Sequence, residues 1–150
     1  MSHGYLGPGI WIRLRHRFGP RMMEWMMAGH MIMFGWVLLL PAETFNQPQF
    51  WSFRDLVPSE DCLGWSMLLI GCLRIIGLVI NGARERVTPQ IRQLSAAIGC
   101  VIWSGISYGF ASSDVASTWL AVYPLFALGE LINIHRAARD QGEIRNGTTG

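Results

Sequence analysis

The chain has no lysine, so each of its twelve cationic side chains is an arginine. Charge of either sign is scarce: charged residues make up 15% of the 150 positions, against the roughly 25% usual for a soluble domain. Hydrophobic residues reach 51% and the mean hydropathy is positive. That balance argues against an ordinary water-soluble domain and for a chain solvated by lipid. Cysteine is sparse as well, and three thiols cannot make the closed disulfide set of a stapled secreted scaffold. Cys72 and Cys100 fall within apolar runs and read as small packing residues. Cys62, at the start of a run, could instead cross-link two copies in an oxidising compartment. His3, His16, His30 and His135 have no ligand spacing with one another or with the cysteines, so no metal site is expected. No Ser/His/Asp set, phosphate-cradling loop or haem-attachment motif is present, and NGARER is too short for a nucleotide loop. Neither enzymatic chemistry nor a cofactor is expected. No repeat or low-complexity tract suggests a second domain.

What the chain does have is long apolar windows. A bilayer core of about 30 Å needs around 20 mostly apolar residues per helix. Four windows approach that length: about 22–40, stopped by Pro41; 62–81, which Ser59 can cap; 91–111; and 117–135. Pro124 lies inside the last window and is expected to kink it. These windows predict an all-α integral membrane four-helix bundle over residues 22–140. A basic arm at 1–21 precedes it and a flexible polar tail at 141–150 follows.

The arginines give the orientation. Arg13, Arg15, Arg17 and Arg21 precede the first window, and Arg84, Arg86 and Arg92 lie between or at the edges of the second and third. Arg136, Arg139 and Arg145 follow the fourth. In a four-span topology these ten share one side, while Arg54 shares the other with Glu43, Asp55, Glu60, Asp61 and Asp114. Arginines flanking spans are retained in the cytoplasm, so both termini are expected inside a bacterial inner membrane. Orientation already explains this basic face, so no nucleic-acid partner is expected. The apolar part of the first window is too long for a secretory leader and no small-x-small site follows Leu40, so the span is expected to be uncleaved.

Two stretches suit the membrane surface. In GIWIRLRHRFGPR, Trp11 and the apolar residues separate from the arginines at helical spacing, so the arm can lie in the headgroup layer and attract anionic lipid. The first external loop, PAETFNQPQFWSFRDLVPSED, clusters Phe45, Phe50, Trp51 and Phe53. A short interfacial helix from Pro48 accounts for them, and a docking surface for another protein is the alternative.

Arg74 is the residue a span should lack. It lies seven residues before Asn81, and Glu130 lies five before His135, so both sit roughly 7–11 Å below the inner boundary of their spans. A charge near a span's middle costs about 2.5–3.5 kcal/mol, and a facing carboxylate offsets that cost. Arg74 is expected to pair with Glu130, with Glu24 as second choice, and Asn81 and Asn133 extend a polar seam. Three readings stay open for the pair: a registry device, an arginine snorkelling alone, or a site for protons, ions or a ligand. His30 reads as a hydrogen-bonded core histidine or as a proton relay beside Glu24. Ser95 with Gly99, and Gly105 with Gly109, are four apart and suit close helix packing, within the bundle or between copies.

The stretches RIIGLVINGARERVTPQIRQLSAAIG and STWLAVYPLFALGELINIHRAARD resemble small four-span membrane proteins of tailed phages and prophages of proteobacteria. The resemblance rests on Arg74 followed by Asn81-Gly82, Arg92 opening the third span, and Tyr123-Pro124 followed by Asn133, Arg136 and Arg139. It implies placement in the host inner membrane and no assigned chemistry. Three functional expectations follow. The first is a non-enzymatic protein that assembles with itself or with a phage or host membrane protein. The second is a holin-like pore former, and the third is a small ion- or proton-coupled carrier using the buried charges.

Overall fold

The computed structural model describes residues 7–83, 89–145 and 147, with side chains described for 21–80, 90–142 and 147. It is all-helical, with no strand among the described residues. Five α-helices follow one another: α1 (Gly7–Leu38), α2 (Phe53–Leu56), α3 (Glu60–Ala83), α4 (Pro89–Ala111) and α5 (Tyr123–Arg145). Single 3₁₀ turns occupy Thr44–Asn46, Pro48–Phe50 and Thr118–Ala121.

The helix ends follow from local chemistry. Ser59 Oγ accepts the Cys62 N–H at 3.1 Å and so caps α3, whose first turn holds Glu60 and Asp61 at the positive end of the dipole. Pro89 opens α4, and Pro124 is the second residue of α5. In a first turn a proline has no hydrogen bond to lose. The expected kink is therefore replaced by a helix start, and residues 118–121 form a turn that Ser117 caps by accepting the Trp119 N–H. The basic arm is continuous with the first apolar stretch, because α1 runs unbroken from Gly7. Nor is the polar tail loose from 141: α5 continues to Arg145 through Gln141, Glu143 and Arg145, all strong helix formers.

The loop at 39–59 also differs from expectation. Instead of one interfacial helix it folds as short turns whose aromatics point inward. Phe45, Phe50 and Phe53 are buried, Phe50 and Phe53 pack on Phe110 of α4 at ring distances of 5.0 and 5.1 Å, and Trp51 alone of the four clustered aromatics is exposed. Burying a phenylalanine is worth about 1.5–3 kcal/mol relative to leaving it in water. The Glu60 carboxylate fixes the loop by accepting the N–H groups of Thr44 and Phe45 at 2.9 and 3.0 Å. Arg54 closes it by donating to the Phe45 carbonyl at 3.1 Å and to the Asn46 side chain.

The four long helices pack as two pairs, α1 with α3 and α4 with α5, and α1 also meets α5. Glycine makes the first pair tight: a Cβ on Gly35 would stand 2.6 Å from the Gly64 carbonyl oxygen and 2.7 Å from the Leu68 nitrogen. One on Gly71 would stand 2.6 Å from Ile32 and 3.1 Å from the Ala28 carbonyl. This small-residue contact lies on α1 and α3, whereas the sequence suggested α4. On α4, Gly105 faces open space, Gly109 receives the Phe53 ring, Gly99 lies against the Arg74 and Glu130 side chains, and Ser95 is half-buried.

The interior has two tiers. Toward the 39–59 loop it is apolar and aromatic, built from Met31, Leu38, Met67, Trp103, Phe110 and Tyr123. Toward the termini it is charged. Outside, large apolar side chains are exposed on all four long helices, among them Met33 and Trp36 on α1, Trp65 and Leu69 on α3, Leu94 and Val101 on α4, and Leu125 and Leu128 on α5. By length and composition, Glu60–Ile80 and Gln90–Ala111 are each apolar enough to cross a membrane, and only 28% and 33% of those windows is buried. The helical apolar stretches of α1, 22–38, and of α5, 123–134, are shorter and interrupted by Glu24 and Glu130.

Candidate functional site

Two ion-paired clusters fill the tier nearer the termini. Arg74 on α3 grips Glu130 on α5 with both ends of its guanidinium: Nη1 donates to Oε1, and Nη2 donates to Oε2 at 2.9 Å. Both side chains are almost wholly enclosed, at 6% and 0% exposure. Asn133, one helical turn along α5, donates from Nδ2 to the same Oε2 at 3.1 Å. Gly99 of α4 forms the floor, since any Cβ there would collide with the Glu130 carboxylate. The α4 glycine thus makes room for an ion pair, not for a helix backbone.

Glu24 does not share Arg74. It takes Arg92 of α4, whose Nε donates to both carboxylate oxygens at 3.1 Å and whose Nη2 donates to Oε1. The remaining Nη1 reaches Asp140 of α5, which is half exposed. Arg92 and Asp140 were absent from the sequence-derived seam. Arg92 had been counted as an orientation signal at a span edge, although its place three residues after Pro89 puts it in the first turn of a helix.

The pattern of pairing carries physical meaning. Backbone packing joins α1 to α3 and α4 to α5; the ion pairs join α3 to α5 and α1 to α4. The charges add ties between the two pairs, which otherwise meet chiefly through α1 and α5. Isolated charges in such a place would cost several kcal/mol each, and bidentate geometry returns much of that. A buried pair is thus weak as a source of stability and strong as a register device, because breaking one partner costs about 3–5 kcal/mol.

The other predicted positions fall elsewhere. His30 is half-buried and sits among rings, 4.4 Å from Phe126 and 5.3 Å from Trp103, away from the Glu24–Arg92 pair. The side chains of Asn81 and Trp11 lie outside the described residues. Cys62 is exposed, Cys72 and Cys100 are half-buried, and the three are free thiols.

A crevice of about 250 Å³ opens between α3 and α4. Its walls are Ile70, Leu73, Ile91, Leu94 and Ile98, and its depth touches Glu24, Arg74 and Arg92. Solvent-sized space therefore reaches both ion-paired clusters from one side of the molecule. Comparison of the chain with protein families, with curated proteins and with solved structures finds no match.

Proposed function

We propose that the chain is a non-enzymatic, phage- or prophage-encoded protein of the host inner membrane. It would cross the bilayer four times, keep both termini in the cytoplasm, and work by assembling with further copies or with another envelope protein. The observation that supports this most is the inversion of polarity: charged side chains are paired inside, while large apolar side chains cover α1, α3, α4 and α5 outside. A monomer in water rarely exposes so much contiguous apolar surface, and a charge inside a span is tolerated when paired. Closed ion pairs also favour a rigid body over a pore, which needs a helix face that can turn toward water.

The test is co-expression of two differently tagged copies, followed by isolation in mild detergent. Assembly predicts co-isolation of both tags, or a stoichiometric membrane partner. A strictly monomeric chain with no partner would overturn it. The crevice favours a second reading, a proton- or ion-coupled carrier, because it brings solvent-sized space to Arg74, Arg92 and Glu24. That reading predicts pH-dependent flux in vesicles that Glu130→Gln abolishes.

A further inference from the structure

A second cavity, of about 390 Å³, lies between α1 and α5 beneath the 39–59 loop. His30, Phe34, Gln47, Phe50, Trp119 and Tyr123 line it. Its walls are π faces: Tyr123 stacks on Trp119 with centroids 5.6 Å apart, and Phe34 stands edge-on to Tyr123 at 5.6 Å. None of the lining residues is an aspartate, glutamate or arginine. A charged ligand would therefore enter without a counter-ion and lose its hydration uncompensated.

Two of the hydrogen-bonding side chains of this cleft, Tyr123 and His30, lack a partner among the described residues. Tyr123 is 4% exposed, and among the described residues its hydroxyl forms no hydrogen bond. The His30 ring, which also lines the space, forms none either. Behind them Trp103, stacked on Tyr123 at 5.8 Å, keeps its Nε1 enclosed and without an acceptor. The Tyr123 hydroxyl and the His30 ring nitrogens are not among the enclosed atoms without a partner, so they reach accessible space where both residues line the cleft, free to meet a ligand. Gln47 and Gln49, also on the lining, are paired with each other, Gln49 Nε2 donating to Gln47 Oε1 at 2.7 Å. The cleft thus offers stacking surfaces and O–H and N–H donors, and asks for a flat, uncharged ring that carries acceptors.

We propose that this cleft binds an uncharged ring compound bearing carbonyl oxygens, of the quinone class. The ring lies against Trp119, which is exposed, while the Tyr123 ring is already covered by its stacked neighbours; the carbonyl oxygen accepts from the Tyr123 hydroxyl, with His30 as the second donor. The proposal concerns binding alone, and it holds whether or not the chain crosses the bilayer four times.

Duroquinone and durene test it, because they share one methylated ring and differ in the two carbonyl oxygens. Calorimetric titration of the full chain in detergent is expected to show saturable duroquinone binding, with durene about tenfold weaker, the size of one hydrogen bond. Tyr123→Phe keeps the ring and is expected to lower duroquinone affinity part of the way to the durene level, since His30 still donates. Val37→Trp, at an exposed position on the cavity wall, fills the space and is expected to abolish binding of both. Non-saturable uptake, equal affinity for the two compounds, or full duroquinone affinity in Val37→Trp would each overturn the proposal. Should Tyr123→Phe not fold, the durene comparison and the Val37 variant still decide it.

Discussion

Glu130 is wholly enclosed, and its carboxylate receives the Arg74 fork and the Asn133 amide. Changing one partner leaves the other charge buried and unmatched. Glu130→Gln is therefore expected to destabilise the chain by about 3–5 kcal/mol, read as a lower melting temperature in detergent and a lower folded yield. The double replacement Arg74→Met with Glu130→Met removes both charges and is expected to recover most of that loss, since apolar replacement of a buried pair is often neutral. If the double variant is as unstable as the single one, the pair does more than fix register. This pair was legible in the sequence, because matched positions in two apolar windows and the cost of a lone charge leave few partners. The Arg92–Glu24–Asp140 cluster was harder to see. An arginine at a helix end signals orientation and pairing alike, and only the tertiary fold shows that Arg92 turns inward.

At the scale of elements, helix existence was readable from apolar runs and caps, while helix limits and packing faces were not. Pro124 reads as a kink inside an apolar window but serves as a first-turn residue, since the helix starts later than the window does. Glycine spacing is likewise ambiguous: Gly105 and Gly109 show the four-residue interval of a packing motif, yet the close backbone contact falls on Gly35, Gly64 and Gly71. A pair of substitutions separates these roles. Gly35→Ala is expected to destabilise the chain by roughly 1–3 kcal/mol, because its Cβ meets backbone atoms that cannot give way. Gly105→Ala meets open space and is expected to stabilise α4 by about 0.5–1 kcal/mol through helix propensity. Thermal unfolding of both variants in one detergent measures the contrast, and equal effects would contradict the assigned interface. The loop offers a third check at this scale. Glu60→Gln keeps one acceptor oxygen where the carboxylate has two, so it is expected to cost about 1–3 kcal/mol through the orphaned Thr44 or Phe45 N–H. Faster proteolysis within 39–59 would report it.

For the whole molecule, the two tiers and the sorted arginines point in one direction. The charged tier lies at the end where α1 begins and α5 finishes; the aromatic tier lies under the loop that holds Glu43 and Asp55, with Glu60 beside it. In a bilayer this polarity has one favourable orientation, because arginine-flanked ends stay in the cytoplasm. The exposed thiol of Cys62, near the start of α3, provides a reporter at the loop end, and Gly147→Cys in a chain otherwise lacking cysteine provides one beyond α5. A membrane-impermeant maleimide added to spheroplasts is expected to label Cys62 at once. The position-147 reporter is expected to react only after the membrane is permeabilised. Immediate labelling at position 147 would place that terminus outside, and equal labelling of both sites without permeabilisation would remove the bilayer from the account altogether. The two helix pairs and the ion pairs that bridge them would then need water, not lipid, around a surface rich in exposed leucine, isoleucine and tryptophan, an arrangement that favours aggregation over a stable monomer.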